Sequence, residues 1–278
     1  MKSLKEKTTS LFGSCPDIFR KRLAHWKYRD EIDKNNFLII DDKDGRLALC
    51  PLRYGKRVTI YESNAKYLDG GKFNIPMMDV TTNEYVYKEK TCIGLRDRLN
   101  IEFLENLADI KNENFYSSDI NDKYTCIAVS KSLDREENKN FTMEYKINKL
   151  KNLVKDGGYL YIEYYIALDN DEIRYPKNQY LRYGEMEKYF DPTEWNILSL
   201  EEISTKEALT KTNVEEKPII FGIIDVRKKF EKEIKKIKKK QEKNILSQSE
   251  SRSLSNITPI RNYRERKVRN YVINGVLR

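Results

Sequence analysis

Residues 37–62 read FLIIDDKDGRLALCPLRYGKRVTIYE, and the reading of the whole chain turns on them. Phe37 to Ile40 form an unbroken apolar run suited to a strand covered on both faces. A tight turn ends at Gly45, and Leu47, Ala48 and Leu49 give the apolar side of a short helix. Val58 to Tyr61 make a second strand that stops on Glu62. Strand, turn, helix and strand in this order make half of a nucleotide-binding unit.

Working outward, NIEFLEN (Asn100 to Asn106) alternates as a short third strand, and KYTCIAVSKSL (Lys123 to Leu133) carries a continuous apolar run. FTMEYKINKLKNLVK (Phe141 to Lys155) predicts a helix with Phe141, Tyr145, Leu150, Leu153 and Val154 on one face, stopped by the glycines of DGG (Asp156 to Gly158). YLYIEYYIAL (Tyr159 to Leu168) is the next strand, YGEMEKYF (Tyr183 to Phe190) a short helix, and EWNILSLEEIS (Glu194 to Ser204) and PIIFGIIDVRK (Pro218 to Lys228) a terminal hairpin. Residues 64–98 show no clean helix, although NEYVYKEKTCIGL alternates as a strand does. The sum is an α/β chain with a mostly parallel sheet and an antiparallel edge strand.

The flanks differ in composition. Residues 1–35 form a charged helical lead-in in which Ile18, Phe19, Leu23 and Trp26 recur at helical spacing, and His25 reads as a residue of that helix's exposed side. From Arg227 to the end there are 17 Lys and Arg against 5 Glu, a net charge of +12, whereas the whole chain carries +9. Residues 1–226 therefore carry −3, and the basicity belongs to the tail. Residues 229–278, a charged helix, the linker SQSESRSLSN and the basic RNYRERKVRNYVINGVLR with Tyr263 and Tyr271, bury too little to fold alone and are expected to order on a partner.

Cys15, Cys50, Cys92 and Cys126 show neither CxxC spacing nor nearby histidines, so no metal site is expected. No apolar run of signal-peptide or membrane-spanning length occurs, and a cytoplasmic protein is expected.

The succession of these segments over residues 36–228 resembles the class I S-adenosylmethionine-dependent methyltransferases, closest in flavour to the tellurite-resistance type. KDGG (Lys155 to Gly158) is similar to the family's Lys-Pro-Gly-Gly turn, and Glu62 falls where the family's ribose-binding acid falls. The resemblance implies a Rossmann-like, seven-stranded sheet and a crevice for S-adenosylmethionine built from Asp41, Lys43, Gly45, Glu62 and Asn106, with Asn106 set against the adenine. The family's loop reads approximately GxGxG, and here Asp41-Asp42-Lys43-Asp44-Gly45 retains only the last glycine. Ser130-Lys131-Ser132-Leu133 lacks the Asn/Asp-Pro-Pro-aromatic signature of amino-methylating DNA enzymes.

Two functions follow from the resemblance. One is a methyltransferase-like scaffold with a decayed cofactor site, docked through residues 228–278 to a protein or ribonucleoprotein assembly, with RNA or an anionic membrane as the surface contacted. The other is an active S-adenosylmethionine-dependent enzyme acting on a small molecule or a protein.

Overall fold

The computed structural model describes residues 10–12, 15–26, 36–79, 81, 84–167, 175–202 and 219–255. The basic stretch 261–278, with Tyr263 and Tyr271, and the side chains of His25 and Trp26 lie outside the described residues. The chain divides into two compact units, Met1–Ile234 and Lys235–Arg278.

Helix α1 (Asp17–Trp26) is followed by β1 (Asn36–Ile40), α2 (Leu49–Arg53), β2 (Arg57–Tyr61), α3 (Ala65–Asp69) and the hairpin β3 (Gly70–Asp79) and β4 (Glu84–Ile93). Then come α4 (Leu95–Ile101), β5 (Ala108–Lys111), β6 (Tyr124–Ser130), α5 (Met143–Leu153), β7 (Val154–Ala167), β8 (Trp195–Glu202), β9 (Ile219–Lys228) and α6 (Glu231–Ser255). Seven strands form one sheet in the order β5-β2-β1-β6-β7-β9-β8. All neighbours from β5 to β7 are parallel, and β9 runs antiparallel to both β7 and β8. The antiparallel strand thus lies one place in from the edge strand β8.

The apolar run of β1 is continuous because both faces of the sheet are covered. Leu38 and Ile40 enter one core with Ile127, Val129 and the α5 residues Ile147 and Leu150. Phe37 and Ile39 enter the other, with Phe19 and Leu23 of α1, Leu52 of α2, and Leu95 and Leu99 of α4. Full burial of each such side chain contributes about 1.5–3 kcal/mol.

Three expectations change. NIEFLEN is not a strand: its first residues end α4, and Glu105–Leu107 form a 3-10 turn. Phe103 is 85% exposed and takes φ 57°, while Leu99 is buried one helical turn after the buried Leu95, so the apparent alternation was the end of an amphipathic helix. The third parallel strand is β5, ADIK, in register with β2. On α5 the buried face is Met143, Lys146, Ile147, Leu150 and Leu153, with Tyr145 exposed, and Val154 already belongs to β7. Residues 64–98, which show no clean helix in the sequence, hold the short α3, the two-stranded sheet β3–β4 and the start of α4. The glycine-rich turn also has a packing role, since a Cβ on Gly157 (φ 77°) would lie 2.2 Å from the Phe230 ring.

Candidate functional site

The parallel strands β1, β2 and β6 end on one side of the sheet, where open α/β folds bind ligands. The turn after β1 takes left-handed φ at alternate residues, Asp41 57°, Lys43 62° and Gly45 92°. Two of these three positions, Asp41 and Lys43, carry side chains, at a strain of about 1–2 kcal/mol each.

The side chains of this turn have divided roles. Asp42 accepts hydrogen bonds from Leu47 N at 2.8 Å and Ala48 N at 2.7 Å, closing the turn into α2. Asp44 faces away from the crevice, pairing with Arg98 of α4 at 3.0 Å and accepting from Leu11 N at 2.7 Å. Asp41 accepts from Ser132 Oγ and pairs with Arg135 at 3.1 Å. Burial pushes the Asp41 carboxyl up to about 7, with the Arg135 charge pulling the other way.

Glu62 directly follows β2 and is fully buried. One oxygen accepts from Lys43 N at 3.0 Å and from an Arg135 terminal nitrogen at 3.2 Å. The other accepts from Asn64 N at 3.0 Å and from the second Arg135 terminal nitrogen at 2.9 Å. A carboxylate offers about four acceptor sites, and all are taken from within the chain. Arg135 also donates to Asp41 O at 3.1 Å and pairs with Glu137 at 3.3 Å. Burial works against its charge, but Asp41, Glu62 and Glu137 outweigh that, and its pKa rises above the ordinary value.

Above this floor lies a cavity of about 270 Å³, lined by Lys43, Asn64 and Tyr67 from the first two strand ends, Lys131, Asp134 and Arg135 from the third, and Tyr165 of β7. Asp41, Lys43 and Glu62 are brought together, Lys43 joined directly to Glu62 and Asp41 through Arg135; only Lys43 of these lines the cavity, and Gly45 packs against Leu49 and Leu95. Asn106 is not among them. It is exposed in the 3-10 turn before β5, whereas Asn112, just past the end of β5, donates to the Glu62 carbonyl at 2.9 Å. Sequence reasoning missed Arg135 and Lys131. The available signal was their position just beyond β6, the run KSLDREE, but nothing in that run states where an arginine reaches. Among the described residues no cluster of His, Cys, Asp and Glu is fit to hold a metal, and no helix is long and apolar enough to cross a membrane.

No family model matches this sequence, and no curated protein matches it. Solved structures do. The [4+2]-cyclase SpnF superposes with a TM-score of 0.50 at 13% identity, over 76% of this chain and 81% of that one. The O-methyltransferase of a trans-AT polyketide synthase multienzyme of Brevibacillus brevis, in complex with S-adenosyl-L-homocysteine, gives 0.48 at 10% identity over 78% and 75%. TehB from Haemophilus influenzae gives 0.47 at 16% identity over 75% of this chain and 62% of that one. The chain has the fold of the class I S-adenosylmethionine-dependent methyltransferases, with its seven-stranded, mostly parallel sheet.

Proposed function

We propose that this protein is a non-catalytic, methyltransferase-like scaffold of the cytoplasm, whose cofactor crevice is closed from within by Arg135 and whose basic tail, residues 228–278, docks it to a larger assembly. One observation carries the reading: the carboxylate that would take the two ribose hydroxyls has every acceptor site filled, two of them by a bidentate guanidinium. Admitting a nucleoside there would require Arg135 to leave the carboxylate, exchanging a charge-assisted pair for hydrogen bonds from neutral hydroxyls.

The tail's charge suits a polyanionic partner, and the Arg and Tyr of RNYRERKVRNY suit RNA in particular, through stacking as well as charge. Binding of the full chain to an RNA oligonucleotide is expected to weaken steeply with salt; binding that persists unchanged into high salt removes RNA as the partner. Vesicles of anionic lipid, titrated in parallel, separate a membrane surface from RNA.

The alternative, an active S-adenosylmethionine-dependent methyltransferase on a small-molecule or protein acceptor, is favoured by one observation, the left-handed backbone kept at Asp41, Lys43 and Gly45. Calorimetry and thermal shift with S-adenosylmethionine decide between them. The closed crevice gives no saturable heat and no rise in Tm at millimolar ligand. A saturable rise that grows with ligand and is lost in Glu62→Ala overturns the closed crevice and favours the enzyme.

A further inference from the structure

We propose that the crevice receives a small phosphate-bearing anion, held between the ammonium groups of Lys43 and Lys131, where relatives of this fold hold their sulfonium cofactor. The proposal rests on the closed ribose position described above and gives the remaining space an occupant.

Three cations line the cavity, Lys43 from the β1 turn and Lys131 and Arg135 from the loop after β6. Arg135 is committed to Asp41, Glu62 and Glu137. The two lysines are not: among the described residues neither has a carboxylate within ion-pair distance. Their ammonium groups rest instead against rings, Lys43 at 4.8 Å from the Phe12 centroid, and Lys131 at 5.2 Å from Tyr165 and 5.0 Å from Phe221. Of the three acids in the same lining, Glu136 pairs with Lys139 and Glu137 with Arg135. The third, Asp134, is pushed up to about 6 by burial, with the charges of Lys131, Arg135 and Lys146 pulling the other way.

Neither lysine is thus ion-paired among the described residues, and the ionisation of Lys43 is perturbed. Its ammonium is lowered to about 8, first by burial and then by repulsion from Lys131, Arg135 and Arg46, with Glu62 acting the other way. A dianion between the two lysines relieves the repulsion. A sulfonium, being a cation, adds to it. Size points the same way, since about 270 Å³ falls short of the roughly 300–1,000 Å³ of pockets that enclose drug-sized ligands and suits a diphosphate or a small phosphate ester.

Inorganic pyrophosphate is the probe, titrated into the full chain by calorimetry at pH 8 in two buffers of different ionisation enthalpy. Saturable binding with net proton uptake is expected, because the anion raises the Lys43 pKa and the lysine takes up the missing fraction of a proton. For the same reason affinity falls as pH rises through 8. The paired substitution Lys43→Ala with Lys131→Ala leaves the basic tail intact and is expected to weaken binding at least tenfold and abolish the proton uptake. Equal affinity in that variant places the anion on the tail and overturns the proposal. If the variant does not fold, binding by the unaltered protein without proton uptake overturns it equally. S-adenosylmethionine in a parallel cell separates the two readings: its saturable binding defeats the closed crevice, whereas refusal of both ligands defeats only the anion site.

Discussion

Two carboxylate–arginine pairs grow from the strand ends around one turn, and they behave as different objects. Asp44 and Arg98 are 0% and 2% exposed, enclosed by α4, Cys92 of β4 and the segment at Ser10 and Leu11. Glu62 and Arg135 are 0% and 12% exposed, with the arginine forming the floor of a crevice open to solvent. The first pair stitches the β1 turn to the hairpin and α4. The second lies at the strand ends, beneath that crevice. The chemistry is the same, and position relative to the strand ends decides whether an ion pair is sealed between elements or faces a crevice.

The contrast breaks most visibly at Arg98. Arg98→Met leaves Asp44 charged and buried with only the Leu11 N–H, Ser10 and Cys92 as donors, and a loss of about 3 kcal/mol is expected in urea denaturation. A loss below 1 kcal/mol would mean that the buried pair is not structural.

Next is Gly45→Ala, in the same turn. Its Cβ would lie 2.6 Å from Leu95 Cδ1 at φ 92°, and a cost of about 2 kcal/mol in the same assay is expected. Arg135→Ala should cost less, about 1 kcal/mol, because water in the crevice and the N–H groups of Lys43 and Asn64 still solvate Glu62. If Arg135→Ala proves as damaging as Arg98→Met, the distinction between the pairs collapses. The smallest effect is that of Lys43→Gly, which relieves the left-handed strain at the cost of unfolded-state entropy. A net gain of up to about 1 kcal/mol is expected, read as a small rise in the denaturation midpoint.

The parts of the fold that were legible were those with one strong physical cause. Continuous apolar runs announce β1, β6 and β9 because strands covered on both faces have no polar side to show. The third parallel strand was illegible for the converse reason: ADIK is a four-residue edge strand with one neighbour and no fully buried side chain, so it leaves no pattern. The nearby NIEFLEN imitated a strand because Phe103 is apolar and yet exposed. The backbone locations of Asp41, Lys43, Gly45 and Glu62, in the turn after β1 and just past β2, were legible because strand ends and turns fix them. Arg135 was not, since the partner of Glu62 lies 73 residues along the chain in a loop without periodicity. Asn106 was misplaced together with the strand it was thought to follow.

The route by which the basic tail leaves the sheet has a mechanical consequence. α6 follows β9 after two residues, and β9 is hydrogen-bonded to β7 on one side and β8 on the other. The junction is fastened by the Arg227–Glu233 pair at 2.9 Å and by Phe230 lying over Gly157. Tension applied along α6 would therefore enter at a strand held along both edges, where both ladders share the load. Had the tail left from β8, the same pull would unzip a single edge one bond at a time.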